Sequence, residues 1–176
     1  DPTLVDPNAP TVIVWDPARI NNSTQLKNQS TTALSADKSV FSFTGITAEP
    51  GAAQVIIYDK WRPGQTNVKD SKYLVFTVKT TGEPAKFRIG LSTTATDPAS
   101  YTGDDAQLWV VVEGGAAEWT TFVVDLAAYD SVWADVDGTY VIDRFVIDMT
   151  GASTATTAEI KSIVFTNSWA GVDSVV

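Results

Sequence analysis

The chain contains no cysteine and no histidine in 176 residues. Without cysteine there are no disulfides and no thiolate metal sites. Without histidine the usual general base is missing, and with it the Ser-His-Asp and Cys-His constellations and imidazole metal ligation. Any chemistry would have to rest on carboxylates, Lys, Arg or Tyr. Positive charge is also scarce: 12 Lys and Arg stand against 21 Asp and Glu, a formal net charge of −9. That balance repels phosphate backbones and anionic membrane surfaces, so nucleic acid is excluded as a natural partner. No apolar run approaches the ~20 residues that a spanning helix requires, so membrane insertion is not expected. No signal peptide is visible, and the opening at Asp1 without a Met reads as a trimmed or mature start. No segment repeats with a period of ~20–50 residues, which argues against a solenoid or propeller.

What is present points to β structure. Apolar residues make up 44% of the chain and aromatics 10%, enough to fill a core and too many for a disordered chain. The length suits one compact domain, since a single sandwich can reach this size. Asp supplies 16 of the acidic residues and Glu only 5. The short Asp side chain favours turns and caps, which fits a loop-rich β protein, and the negative charge suits a soluble secreted one. Asp1–Pro10 (DPTLVDPNAP) holds three prolines and reads as a linker or extended lead-in, leaving 11–176 as a β-sandwich domain.

Short segments rich in Val, Ile, Phe, Tyr, Trp and Thr recur along that domain. They are Thr11–Asp16, Ser39–Gly45, Gln54–Lys60, Tyr73–Thr80, Lys86–Thr93, Gln107–Gly114, Trp119–Leu126, Tyr140–Met149 and Glu159–Asn167. Turn signals separate them: TGEP at Thr81–Pro84, EGGA at Glu113–Ala116 and the Asp-Gly of VDGT at Val136–Thr139. Strands at this spacing without intervening helices predict an all-β antiparallel sandwich of about 8–10 strands. Period-two alternation predicts the core: Leu74, Phe76, Val78; Phe87, Ile89, Leu91; Leu108, Val110, Val112; Phe122, Val124, Leu126; Phe145, Ile147, Met149. The opposite faces carry Tyr73, Val75, Thr77 and Lys79; Lys86, Arg88 and Gly90; Trp109, Val111 and Glu113; and Arg144, Val146 and Asp148. The polar stretch Pro17–Lys38 reads as a long loop with one irregular strand at most.

The pattern YLVFTVKTTGEPAKFRIGLS, WTTFVVDLA, YVIDRFVIDM and EIKSIVFTN, over roughly Gln54–Asn167, resembles the jelly-roll carbohydrate-binding modules of the galactose-binding-like sandwich superfamily. In those modules a strand ending in Asp-Leu precedes a loop with a Trp and two final strands. Asp125-Leu126, Trp133 and the last two strands match that scheme. The resemblance implies a jelly roll that binds glycan without catalysis. Family modules often carry an acidic pair in the last strand that helps hold calcium. Here that strand offers only Glu159, a departure from the pattern.

Six Trp residues suit such a role, because the apolar face of a pyranose stacks on an indole while polar side chains meet its hydroxyls. The six are not equivalent. Trp15 alternates with apolar neighbours and reads as core or sheet edge. Trp119 opens a strand and Trp133 matches the family's loop position, and both read first as structural. Trp61, in YDKWRPGQTN between Lys60 and Arg62, reads equally as an exposed platform or a loop anchor. Trp109 alternates with Leu108 and Val110 and should project from the polar face, where sugar contact competes with cross-strand packing. Trp169 either packs the tail or joins the site, and Tyr101 lies in the loop feeding the Trp109 strand. Arg88 and Arg144 share the outer face. They would either clamp hydroxyls or pair across strands with Asp148 or Glu113, the pairing being the plainer reading.

Two Asp-rich loops, Asp97–Asp105 and Asp130–Asp137, could supply oxygens to calcium, though surface turns explain them as well. An enzyme reading needs two facing carboxylates about 5–9.5 Å apart. Glu49 and Glu83 precede prolines and Glu113 and Glu118 flank one turn, which leaves no obvious hydrolase pair on one concave face. Asp125 and Asp148 could share the outer face, though Asp125 reads rather as a turn cap. A jelly-roll lyase using Tyr with Arg or Lys would favour a basic cleft, against the acidity of this chain. A third reading is a protein-binding or structural module of a cell-surface protein. The expectation is therefore non-catalytic polysaccharide binding, of a glucan or a hemicellulose, by a monomeric module of a secreted bacterial multidomain protein. Contacts are expected from Trp61, Trp109, Tyr101, Trp169, Arg88 and Arg62. No cofactor is required, and a structural calcium would sit at Asp130, Asp135 and Asp137.

Overall fold

The computed structural model of the chain describes residues 12–28, 30–45, 51–58, 73–93, 108–126, 142–152, 155–166 and 174–175. Among them are twelve strands and one short helix, arranged in two sheets. The strands are β1 (Val12–Trp15), β2 (Thr24–Asn28), β3 (Ser30–Leu34), β4 (Phe41–Gly45), β5 (Gly51–Tyr58), β6 (Tyr73–Thr81), β7 (Lys86–Thr93), β8 (Leu108–Glu113), β9 (Thr120–Asp125), β10 (Ile142–Ala152), β11 (Thr157–Thr166) and β12 (Ser174–Val175). The helix is α1 (Pro17–Ser23).

A seven-stranded sheet runs β12-β9-β6-β11-β4-β3, with β1 joining β11 beyond β4; a five-stranded sheet runs β2-β5-β10-β7-β8. All pairings are antiparallel except that of β12 with β9. From β4 to β11 the chain changes sheet at every connection but β7–β8. Alternating burial makes this possible, because each strand has one apolar row to bury against the facing sheet.

Between the sheets lies one apolar cluster that includes Trp15, Phe41, Phe43, Phe76, Phe87, Ile147, Met149, Ile160 and Phe165. Phe76 of one sheet meets Phe87 of the other at 6.0 Å between ring centroids, and stacks on Phe122 at 5.2 Å. The expected core residues on β6, β7, β8, β9 and β10 are buried, with Phe122 half-buried against them; the side chains of Leu108 and Phe145 lie outside the described set.

The expected loop at Pro17–Lys38 is instead a helix and two strands, and with β12 they raise the strand number above the expected 8–10. Asp16 caps α1: Arg19 N donates to Asp16 Oδ1 at 2.7 Å, and Pro17 takes the first helical position, where its missing N–H costs nothing. The helix buries Pro17, Ile20 and Ser23 on one side, and with Ile20 the only large apolar side chain among them the hydrophobic period is faint. β2 and β3 are sheet edges, so one side of each lacks a neighbour and the sequence stays polar; in β3 only Ser30 is buried.

The connections divide by length. β6–β7, β8–β9 and β10–β11 are closed by 82–85, 114–119 and 153–156 at one end of the sandwich. Register places the end of β5 and of β7, and the start of β8 and of β10, together at the opposite end. The long segments 59–72, 94–107 and 127–141 all attach there.

Candidate functional site

The outer face of the five-stranded sheet carries the sequence's mixed polar and aromatic row. Pairing sets Arg88 of β7 between Asp148 of β10 and Val111 of β8, and sets Gly90 between Val146 of β10 and Trp109 of β8. Asp148 and Val146 are fully buried although they face away from the core, so this part of the face is not an open plain.

Arg88 supplies the cover for Asp148. Its Nε donates to Asp148 Oδ1 at 2.9 Å and its Nη2 to Oδ2 at 2.6 Å, a two-pronged fit of planar guanidinium on carboxylate. The Arg88 side chain keeps 23% of its surface exposed while that of Asp148 keeps none. The same guanidinium carbon sits 4.0 Å from the ring centroid of Trp109, so one indole face is occupied by the cation.

Trp109 is half-buried and packs on Val146 across β7. Gly90, with no side chain of its own, is the residue paired between them. Trp109 thus lies on the expected face, half-buried against Val146. The cross-strand pairing of Arg88 with Asp148 is the plainer of the two readings offered by the sequence. At the end of the row Lys86 and Glu113 meet at 3.6 Å with much of both side chains in water, a contact worth ~0–1 kcal/mol.

Trp15 is buried at 1% exposure, with Arg19 stacked 3.9 Å from its ring centroid, which settles it in the core. Trp119 is half-buried beside β9, with Lys161 Nζ 4.3 Å from its ring centroid. Sequence reading missed that contact, because its partners are 42 positions apart on strands separated by β6. Trp61, Arg62, Tyr101, Trp133 and Trp169, and the acidic Asp130, Asp135 and Asp137, lie outside the described residues. The carboxylates Asp125 and Asp148 fall on different sheets, and Asp148 is engaged by Arg88, so they do not form a facing pair.

The cluster can offer a flat apolar edge beside a fixed cation and exposed polar groups. That combination suits a ligand with apolar ring faces and many hydroxyls.

No protein-family model and no curated protein matches the chain. Solved structures do. A variant of a family 29 carbohydrate binding module superposes with TM-score 0.54 at 15% identity, covering 90% of this chain and 93% of its own. A family 29 module variant complexed with cellulohexaose gives TM-score 0.52 at 16% identity, covering 90% and 92%. PfGH50B matches with TM-score 0.53 at 15% identity over 89% of this chain but only 24% of that one. The chain has the jelly-roll β-sandwich fold of these modules. The fold-level resemblance drawn from its apolar pattern holds.

Proposed function

We propose that this chain binds a polysaccharide without acting on it, through the outer face of β7, β8 and β10, and directs a secreted multidomain protein to its substrate. The observation that carries the reading is the Trp109–Arg88–Asp148 cluster: an indole on a sheet face, stacked by a guanidinium that a buried carboxylate holds in place. Holding Arg88 this way reduces the rotamer entropy lost when it meets a hydroxyl. The shared fold with carbohydrate binding modules, one of them solved with cellulohexaose, favours a glucan or a related hemicellulose as the ligand class. Trp61, Arg62, Tyr101 and Trp169 are proposed as further contacts. The match to about a quarter of PfGH50B supports a fold carried within larger chains. A structural calcium at Asp130, Asp135 and Asp137 would add thermal stability that a chelator removes.

Affinity electrophoresis on soluble β-glucan, xylan, glucomannan and starch tests the reading. Retarded migration on at least one, lost in Trp109→Ala with no release of reducing ends, is the expected result. Unretarded migration on all four, or reducing ends released by the wild type, refutes it.

A further inference from the structure

The outer face of the seven-stranded sheet repeats the same chemistry on the other side of the sandwich. On the row turned away from the core, Thr121 and Val123 of β9 lie opposite Thr77 and Val75 of β6; the two Val are buried, so the open part of this face is the end where Trp119 precedes β9. Glu159 of β11 pairs with Lys79 of β6 on one side and with Ser42 of β4 on the other. Thr77 and Thr121 share a hydroxyl hydrogen bond of 2.9 Å.

The position of Lys161 is the telling feature. Ile160 and Ile163 are both fully buried, although a regular strand would turn residues three apart to opposite faces. β11 solves this with a register shift between Ile160 and Ser162, and the extra residue, Lys161, is turned out to solvent. Lys161, next after the inward Ile160, faces out as alternation requires, and the bulge lets Ile163 turn in again behind it. From β11 Lys161 reaches over β6 to place Nζ 4.3 Å from the Trp119 centroid. Spanning two strand spacings, ~10 Å, brings indole and ammonium together over the sheet and not at its rim.

From this geometry we infer a second carbohydrate-contacting face, formed by Trp119, Lys161, Lys79, Glu159 and Thr121, that makes the module two-sided toward a neutral glycan. The inference rests on the reading of the chain as a glycan binder but uses none of the residues of the first face. Trp119 supplies the stacking surface. Lys161 supplies three donors for ring hydroxyls, and Glu159 supplies acceptors. A chain that grips on both sides can bridge two polysaccharide strands, so its retention on polymer exceeds what either face gives alone.

Titration calorimetry with cellohexaose tests this. The wild type should bind two molecules per chain, and Trp119→Ala and Trp109→Ala should each bind one. Near-UV circular dichroism checks that the variants stay folded. Lys161→Glu, at an exposed position, gives a second route to the same loss should Trp119→Ala unfold. A wild type that binds one molecule, or a Lys161→Glu variant that still binds two, overturns the second face and leaves the first intact. A wild type that binds none, with no polysaccharide retained in electrophoresis, removes both.

Discussion

Removing Arg88 should destabilise the fold more than removing the charge of Asp148, although the two make one ion pair. The asymmetry follows from exposure. Arg88 retains 23% of its side-chain surface in solvent, and Asp148 retains none. In Arg88→Met the stem still covers the sheet, but a fully buried carboxylate loses the cation that donates to both its oxygens at 2.9 and 2.6 Å. Breaking a buried pair in that direction costs about 3–5 kcal/mol. We expect roughly 3, since Arg88 is itself partly hydrated. In Asp148→Asn the group left behind is a guanidinium that already reaches water and still stacks on Trp109, so about 1–2 kcal/mol is lost. For a chain of this length 1 kcal/mol corresponds to ~2–4 °C, which predicts a Tm fall of ~6–12 °C for Arg88→Met and a clearly smaller one for Asp148→Asn. Urea denaturation with unchanged slope provides the free energies. The double variant Arg88→Met/Asp148→Leu should recover much of the loss, because apolar replacement removes both desolvation costs. Should Asp148→Asn prove as costly as Arg88→Met, or the double variant be worse than either, Asp148 is not held by Arg88 in the way described.

Trp15→Ala, at a fully buried core position, should cost ~3–5 kcal/mol in the same denaturation assay and leave glycan retention of the folded fraction unchanged. Gly90→Val should fill the space between Trp109 and Val146 and displace the indole, seen as a red-shifted Trp emission and a loss of ~1–3 kcal/mol. Gly115→Ala combines a φ of +69° with a methyl group colliding with Thr80 Oγ1, which accepts from Ala116 N at 2.8 Å. A loss of ~1–3 kcal/mol is expected by thermal melting. Hydrogen bonds from Ser39 and Ser35 lower the Asp37 pKa from 3.8 to about 2, so its carboxylate favours the folded state above 3.8 and that contribution disappears as pH falls through about 2. NMR titration of the Asp37 carboxyl checks the midpoint, which Ser39→Ala should move upward.

The sequence alone determined the sandwich, because burying alternate residues of Lys86–Thr93, Gln107–Gly114 and Trp119–Leu126 on one side is a local, period-two constraint. It also placed Trp109 and Arg88 on one outer face and offered Asp148 as the partner of Arg88. The alternation could not say how far a side chain leans once there. That Trp109 packs on Val146 follows from both pairing with Gly90, a neighbour set only by the register of β8 and β10 on β7. The helix over Pro17–Ser23 was read as loop, because the side it buries, Pro17, Ile20 and Ser23, holds a single large apolar residue and so carries little hydrophobic period. The edge strands β2 and β3 were hidden because half of their surroundings is solvent. The meeting of Lys161 with Trp119 was settled by tertiary structure alone: it depends on β6 lying between β11 and β9, a pairing that no local pattern reveals.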